Sequence, residues 1–155
     1  MSRLSPKGKA FTELVLEVFR VNGLLLAAGD RLTEPVGLSS ARWQILGVVE
    51  HGAVPVANIA RIMGLTRQSV QQTADALERD GFVAYAENPH HRRAKLVALT
   101  PKGREALAYV EQRHAEWASR IGRAHTLEAL RAAVETLRAV RQGLEQDAPQ
   151  PADPT

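Results

Sequence analysis

The stretch PVANIARIMGLTRQSVQQTADALERDG, Pro55 to Gly81, decides how the chain folds. It divides into two short helical segments. The first ends at Gly64; the second opens at Thr66, which can cap a helix, and stops at Gly81. Ala60, Gly64 and Val70 lie four and six residues apart, with Ile59, Met63 and Leu65 apolar around them. A small residue lets two helices approach, a glycine permits the tight turn, and a β-branched residue packs the second helix back. That is the pattern a helix-turn-helix requires, although any helical hairpin with a glycine turn shares part of it.

The second segment separates its faces. Val70, Ala74 and Leu77 share one side, and a rotation of about 100° per residue puts Gln68, Gln72, Asp75 and Arg79 opposite, with Ser69 and Gln71 on the flank. The outer face of its N-terminal half is amide, hydroxyl and Arg67, with no acid before Asp75. Glutamine pairs bidentately with adenine, and arginine with guanine, when a helix enters the major groove. A solvated surface helix has a similar composition, so a second feature must decide.

That feature is NPHHRRAKLVALTPKGR, Asn88 to Arg104, with five basic residues and no acid. It joins two β-type runs, FVAYAE and AKLVALT, the latter alternating Leu96 and Ala98 against Val97 and Leu99. The reading is a hairpin tipped with Arg92, Arg93 and Lys95. Guanidinium groups suit phosphate oxygens and the negative potential of a narrow minor groove. Placed one strand from a helix-turn-helix, the run looks like the wing of a winged helix, so that both features face one duplex.

Helical stripes flank this unit. Upstream, LSSARWQILGVVEHG begins at a plausible cap, Ser39, carries Trp43, Leu46 and Val49 on its inner face and stops at Gly52. Before it, Phe11, Leu14, Val18, Val21 and Leu25 recur at spacings of three and four until Pro35 and Gly37 interrupt. Downstream, Thr100-Pro101 starts a helix with Leu107, Val110, His114, Trp117 and Ile121 on one side. Gly122 and Thr126 divide it from a last helix bearing Leu127, Leu130, Val134, Leu137 and Leu144. Three such stripes exceed what one small winged-helix core buries, which predicts a two-fold homodimer; the alternative is that they cover one enlarged monomer core. A dimer would set two recognition helices roughly 34 Å apart, one turn of the duplex. The expected class is mainly α (α+β), with residues 1–37 an N-terminal dimerisation helix, 38–99 the winged helix-turn-helix and 100–146 the C-terminal dimerisation helices. Residues 147–155, within the proline-rich QDAPQPADPT, read as a disordered acidic tail.

Composition narrows the function classes. The 155-residue chain has no cysteine, which removes disulfides, thiol switches and cysteine-based metal sites. No run approaches the roughly 18 apolar residues of a membrane span. Glu13 and Glu17 break the N-terminal apolar stretch, so no signal peptide is expected and the cytoplasm is the expected location. His51, His90, His91, His114 and His125 are dispersed without a pair at helical metal-ligand spacing, so neither metal nor cofactor is expected. No nucleophile elbow, phosphate-cradling glycine loop or acid–base pair points to an enzyme.

The segments LSSARWQILGVVE, PVANIARIMGLTRQSVQQTADALERDGFV and NPHHRRAKLVALTPKGR resemble the multiple-antibiotic-resistance-regulator (MarR) family of bacterial transcription factors, over roughly residues 10 to 145. The resemblance implies a homodimer that binds double-stranded DNA at pseudo-palindromic operators, usually as a repressor, and is released by small aromatic or phenolic effectors. It places the recognition helix on Thr66 to Asp80 and the wing arginine on Arg93. The family's wing acid falls on His91, and Pro55 stands where a serine or threonine often caps the third helix. The expected DNA-facing residues are Ser39, Thr66, Arg67, Gln68, Ser69, Gln71 and Gln72, with His90, His91, Arg92, Arg93 and Lys95 on the wing. Trp43, His114 and Trp117 are the candidates to line an effector cavity between the dimerisation helices and the winged helix. A winged-helix interaction module that does not bind DNA, and a metal-responsive regulator, are the competing readings.

Overall fold

A serine followed by proline starts the first helix. In the computed structural model, which describes residues 3–149, Ser5 Oγ accepts from the Gly8 amide at 3.0 Å and Pro6 takes the first helical position. This helix, α1 (Pro6–Thr33), passes into a short 3-10 turn (Glu34–Val36) and ends at Gly37, whose φ of 75° suits glycine. Ser39 then caps α2 (Ser40–Val49), its hydroxyl accepting from the Arg42 amide at 3.2 Å. Two contacts hold α2 to α1: the Ser40 amide donates to Asp30 Oδ1 at 2.8 Å, and Ser40 Oγ donates to the Leu26 carbonyl at 2.6 Å.

The helix-turn-helix forms as its sequence predicts. Helix α3 (Val56–Met63) ends at Gly64, in the left-handed region, where the Leu65 amide donates back to the Ala60 carbonyl. Thr66 caps α4 (Arg67–Arg79), its hydroxyl accepting from the Ser69 amide at 3.1 Å. Gly81, at φ 82°, closes α4 and lets the Phe82 amide reach the Leu77 carbonyl. Pro55 stands at the cap position of α3 with no side-chain bond, as expected from its chemistry.

The sheet has one strand that the periodicity does not predict. A two-residue β1 (Val54–Pro55) joins β2 (Val83–Ala86) and β3 (Leu96–Leu99) in the antiparallel order β1-β3-β2, with Val54 opposite Val97 and Tyr85 opposite Val97 on the other side. A strand this short is below any alternation signal; only its partner defines it. Leu46, Ile59, Val70, Ala74, Leu77, Val83, Val97, Leu107 and Val110 form the buried core. The inner face assigned to α4 is buried in full, and so are Leu46 and Val49 of α2, whereas Trp43 is half-buried.

The Thr-Pro-Lys-Gly sequence fastens the next helix, α5 (Pro101–Gly122), to the hairpin. Thr100 Oγ1 donates to the Gly81 carbonyl at 2.6 Å and accepts from the Gly103 amide at 3.1 Å. Gly103 is buried against the Phe82 carbonyl, so that a methyl group there would collide with backbone. The chain divides into two compact units, one ending at His114 and the other starting at Ala115. The second holds the end of α5 and α6 (Leu127–Asp147), capped by Thr126 Oγ1 accepting from the Ala129 amide at 3.1 Å. The tail expected to be disordered falls largely outside the described residues.

Candidate nucleic-acid interface

The outer half of α4 is open. Arg67, Gln68, Ser69, Gln71 and Gln72 are exposed, as is Thr66, while Val70 between them is buried. The capping bond leaves the Thr66 hydroxyl hydrogen free to donate to an external acceptor such as a phosphate oxygen. Ser39 is half-buried, its hydroxyl capping α2 by the same kind of accepting bond.

On the hairpin, an Asx-type turn fixes the descent from β2. The Asn88 side chain accepts from the His90 amide at 3.0 Å, and the His91 amide donates to the Asn88 carbonyl at 3.2 Å. His90, His91, Arg92, Arg93 and Lys95 are all exposed. The five basic residues of this stretch do not act together, however. Lys102 belongs to α5, donates to the Asp80 carbonyl at 2.6 Å and lies 4.5 Å from the centre of the Phe82 ring. Arg104 also lies on α5, so the tip carries three permanent cations.

Recognition helix and wing share a concavity. A cavity of about 450 Å³ is lined by Gln71 and Glu78 of α4, Tyr85 of β2, Arg93 and Lys95 of the wing, and Pro55 at the start of α3. From its lining, Tyr85 Oη donates to Asp75 Oδ1 at 2.5 Å, and Gln71 Nε2 donates to the same oxygen at 2.8 Å and to Tyr85 Oη at 2.9 Å. The Tyr85 bond, then that of Gln71, holds the Asp75 carboxyl below its ordinary 3.8. Burial raises the Tyr85 phenol well above its ordinary 10.0, and the bond to Asp75 and its charge raise it further. Neither Tyr85 nor Asp75 was among the residues expected to matter. The Gln71–Asp75 spacing of four was a legible signal for a helix-surface pair; the tyrosine's part was not legible.

Two of the three aromatic candidates for an effector cavity, Trp43 and His114, fall in the first unit. Trp43 and His114 meet edge to face with ring centroids 5.3 Å apart. Trp117 is half-buried and falls in the second unit. Among the described residues no group of three or more histidine, aspartate or glutamate side chains could hold a metal ion, and no helix is long and apolar enough to cross a membrane.

Known proteins place this geometry. The MarR family model matches residues 36–94, which span α2, the helix-turn-helix and most of the wing. Rv2011c of Mycobacterium tuberculosis, named as an uncharacterized protein, is 36% identical over 136 residues, which is 88% of this chain and 95% of that one. The chain belongs to the MarR family. The transcriptional activatory protein BadR of Rhodopseudomonas palustris is 29% identical over 103 residues, 64% of this chain and 59% of BadR. Among solved MarR-type structures, CouR of Rhodococcus jostii RHA1 bound to p-coumaroyl-CoA superimposes with a TM-score of 0.73 at 26% identity, covering 82% of this chain and 90% of CouR. The fold is the winged helix of MarR-family transcription regulators, which are not enzymes.

Proposed function

We propose that this chain acts as a cytoplasmic homodimeric repressor that binds a pseudo-palindromic operator and is released by a small phenolic or other aromatic ligand. The observation that carries the DNA-binding part is the shared concavity, in which Gln71 of the recognition helix and Arg93 and Lys95 of the wing line one surface. A duplex seated there would meet the amide and hydroxyl groups of α4 in its major groove and the wing cations along its backbone or minor groove. The contacts assigned to this work are Ser39, Thr66, Arg67, Gln68, Ser69, Gln71 and Gln72 on one side, and His90, His91, Arg92, Arg93 and Lys95 on the other. His91 adds no permanent negative charge, so the wing keeps its full positive charge although it lacks an acid beside Arg93.

The dimer is supported by apolar faces that this chain alone leaves open. On α1, Phe11, Val18, Val21 and Leu25 are exposed, and in the second unit Leu130, Val134 and Leu137 of α6 are exposed as well. Contiguous apolar stripes of this size on a helix mark an interaction surface. Residues 1–37 and 100–146 would then form the dimerisation parts around the 38–99 DNA-binding unit. The phenolic ligand class is supported by CouR, whose bound p-coumaroyl-CoA carries a phenol. Trp43, His114 and Trp117 are the aromatic side chains assigned to receive such a group, the first two in ring contact with each other. An effector acts by binding more tightly to a conformation whose recognition helices are wrongly spaced for the operator.

A mobility-shift titration against the DNA upstream of the protein's own gene tests the reading. Arg93→Ala should weaken binding to all sequences alike and lower the salt slope by about one phosphate contact. Gln72→Ala should instead change which sequences are preferred. Indifference of both variants would exclude the assignment, and a reporter fused to that region separates repression from the activation named for BadR.

A further inference from the structure

The wing tip carries two kinds of basic side chain. Arg92, Arg93 and Lys95 are permanent cations, whereas His90 and His91 stand between the Asn88-Pro89 turn and the arginines and gain charge only with a proton. The turn holds both histidines by their backbones. The His90 amide donates to Asn88 Oδ1 at 3.0 Å, the His91 amide to the Asn88 carbonyl at 3.2 Å, and the Ala94 amide to the His91 carbonyl at 3.2 Å. Both residues are exposed, and among the described residues no hydrogen bond or ion pair engages either imidazole. The charged groups around them are the three wing cations and two acids. Glu87, just after β2, shares a cavity of about 310 Å³ with Asn88, Arg92 and Lys95, and Glu78 of α4 lines the larger cavity with Arg93 and Lys95. Among the described residues neither acid pairs with a wing cation or an imidazole. The other three histidines lie elsewhere: His51 follows α2, His114 is on α5, and His125 separates α5 from α6.

We infer that the wing is a proton-dependent clamp: His90 and His91 raise its positive groups from three to five as the medium acidifies, and so couple DNA affinity to pH. Histidine is the side chain whose charge ordinarily changes between about pH 5 and pH 8. A duplex seated against the wing brings phosphates to the tip, and a phosphate favours the protonated ring over the neutral one. Binding then takes up protons, so affinity rises as pH falls. Each ring that becomes a cation at a phosphate also releases about 0.9 counterion, so the salt dependence steepens in the same direction. Phosphates are common to every sequence, and the effect belongs to the backbone rather than to the bases. The inference rests on the reading of the wing as a DNA contact.

The test is a salt series of duplex-binding titrations with the full chain at about pH 6 and about pH 8. Two labelled duplexes are used, one from upstream of the protein's own gene and one of unrelated sequence. The unaltered chain should bind both more tightly at the acid pH, on the order of fivefold per imidazole where a phosphate favours the protonated ring about tenfold. Its salt slope should be steeper there by about one per protomer. Changing the pair together, His90→Gln with His91→Gln, should remove both differences. His90→Arg with His91→Arg should instead hold the wing in its tight-binding charge state at either pH. His51→Gln and His125→Gln, away from the wing, should keep the pH dependence of the unaltered chain. Equal affinity of the unaltered chain at the two pH values, a pH effect that survives either altered pair, or its loss in His51→Gln or His125→Gln would each overturn the inference while leaving salt-sensitive DNA binding intact. A chain that binds neither duplex at either pH would remove the regulator reading itself, and this inference with it.

Discussion

Arg42 of α2 reaches Asp80, the residue that follows the recognition helix, with Nη1 to Oδ2 at 2.7 Å, and the same nitrogen donates to the Gly37 carbonyl at 3.3 Å. One guanidinium thereby ties the turn after α1, the second helix and the C-terminal end of α4, setting the angle at which α4 is presented. The Arg42 side chain is 24% exposed and that of Asp80 50%, so solvent screens the pair only in part. Arg42→Ala should lower unfolding stability by about 1 kcal/mol. Asp80→Asn should cost less, and the double variant little more than Arg42→Ala alone. Urea titrations of all three at low and high salt measure this; additive losses would show that the two groups act separately.

Gly103 admits no side chain. A Cβ there would collide with the Phe82 carbonyl oxygen and approach Leu99 Cδ1 at 2.7 Å, and backbone cannot rotate out of the way. Gly103→Ala should therefore destabilise the chain by roughly 2–4 kcal/mol, by levering α5 off the hairpin. Gly29→Ala is the instructive contrast, since the atom it meets first is the Ser40 hydroxyl, which can turn, although at the loss of its bond to Leu26. Thermal unfolding followed by circular dichroism should rank Gly103→Ala as the more damaging.

Tyr85 gives the fold an alkaline liability. Its phenol is raised above 10.0 in the folded chain, so the native state keeps a proton that the unfolded chain gives up near pH 10. The native state then binds more protons than the unfolded one, and stability falls as pH rises beyond that point. Tyr85→Phe has no proton to lose. Between about pH 8 and about pH 11 its urea midpoint should fall less than that of the unaltered chain; parallel falls would show that the phenol titrates normally.

A charge on the open face of α1 should separate protomers without unfolding them. Val21 is 47% exposed and Leu25 50% exposed, so glutamate at either position is solvated in a lone chain and would be buried in the proposed dimer. Val21→Glu and Leu25→Glu are expected to weaken association on the order of tenfold or more while leaving the helical spectrum unchanged. Sedimentation velocity over a concentration series reads this directly. A tight dimer in both variants would move the interface elsewhere.

Much of the architecture was legible in the sequence because it depends on local chemistry. Gly64 and Gly81 both occupy left-handed turns, and Ser39 and Thr66 both cap helices. Each of these requirements is met within four residues along the chain, and periodicity supplied the buried face of α4. What stayed hidden depends on partners far away in sequence. Strand β1 exists only through its pairing with β3, and Tyr85 meets Asp75 across ten residues and a change of element. Lys102 illustrates the opposite error: it lies near the wing in sequence, yet the start of α5 turns it toward the Asp80 carbonyl and the Phe82 ring. Proximity along the chain grouped charges that the fold then separates.

The sheet order β1-β3-β2 also limits what the wing can recruit. One border is a two-residue strand ending in Pro55, which has no amide to offer a newcomer, and the other is the four-residue β2, tied back to α4 through Tyr85. A hairpin that must project from the body to meet DNA would otherwise be an invitation to strand-on-strand aggregation. Here a proline guards one flank and brevity the other, so the wing stays outstretched without templating fibres.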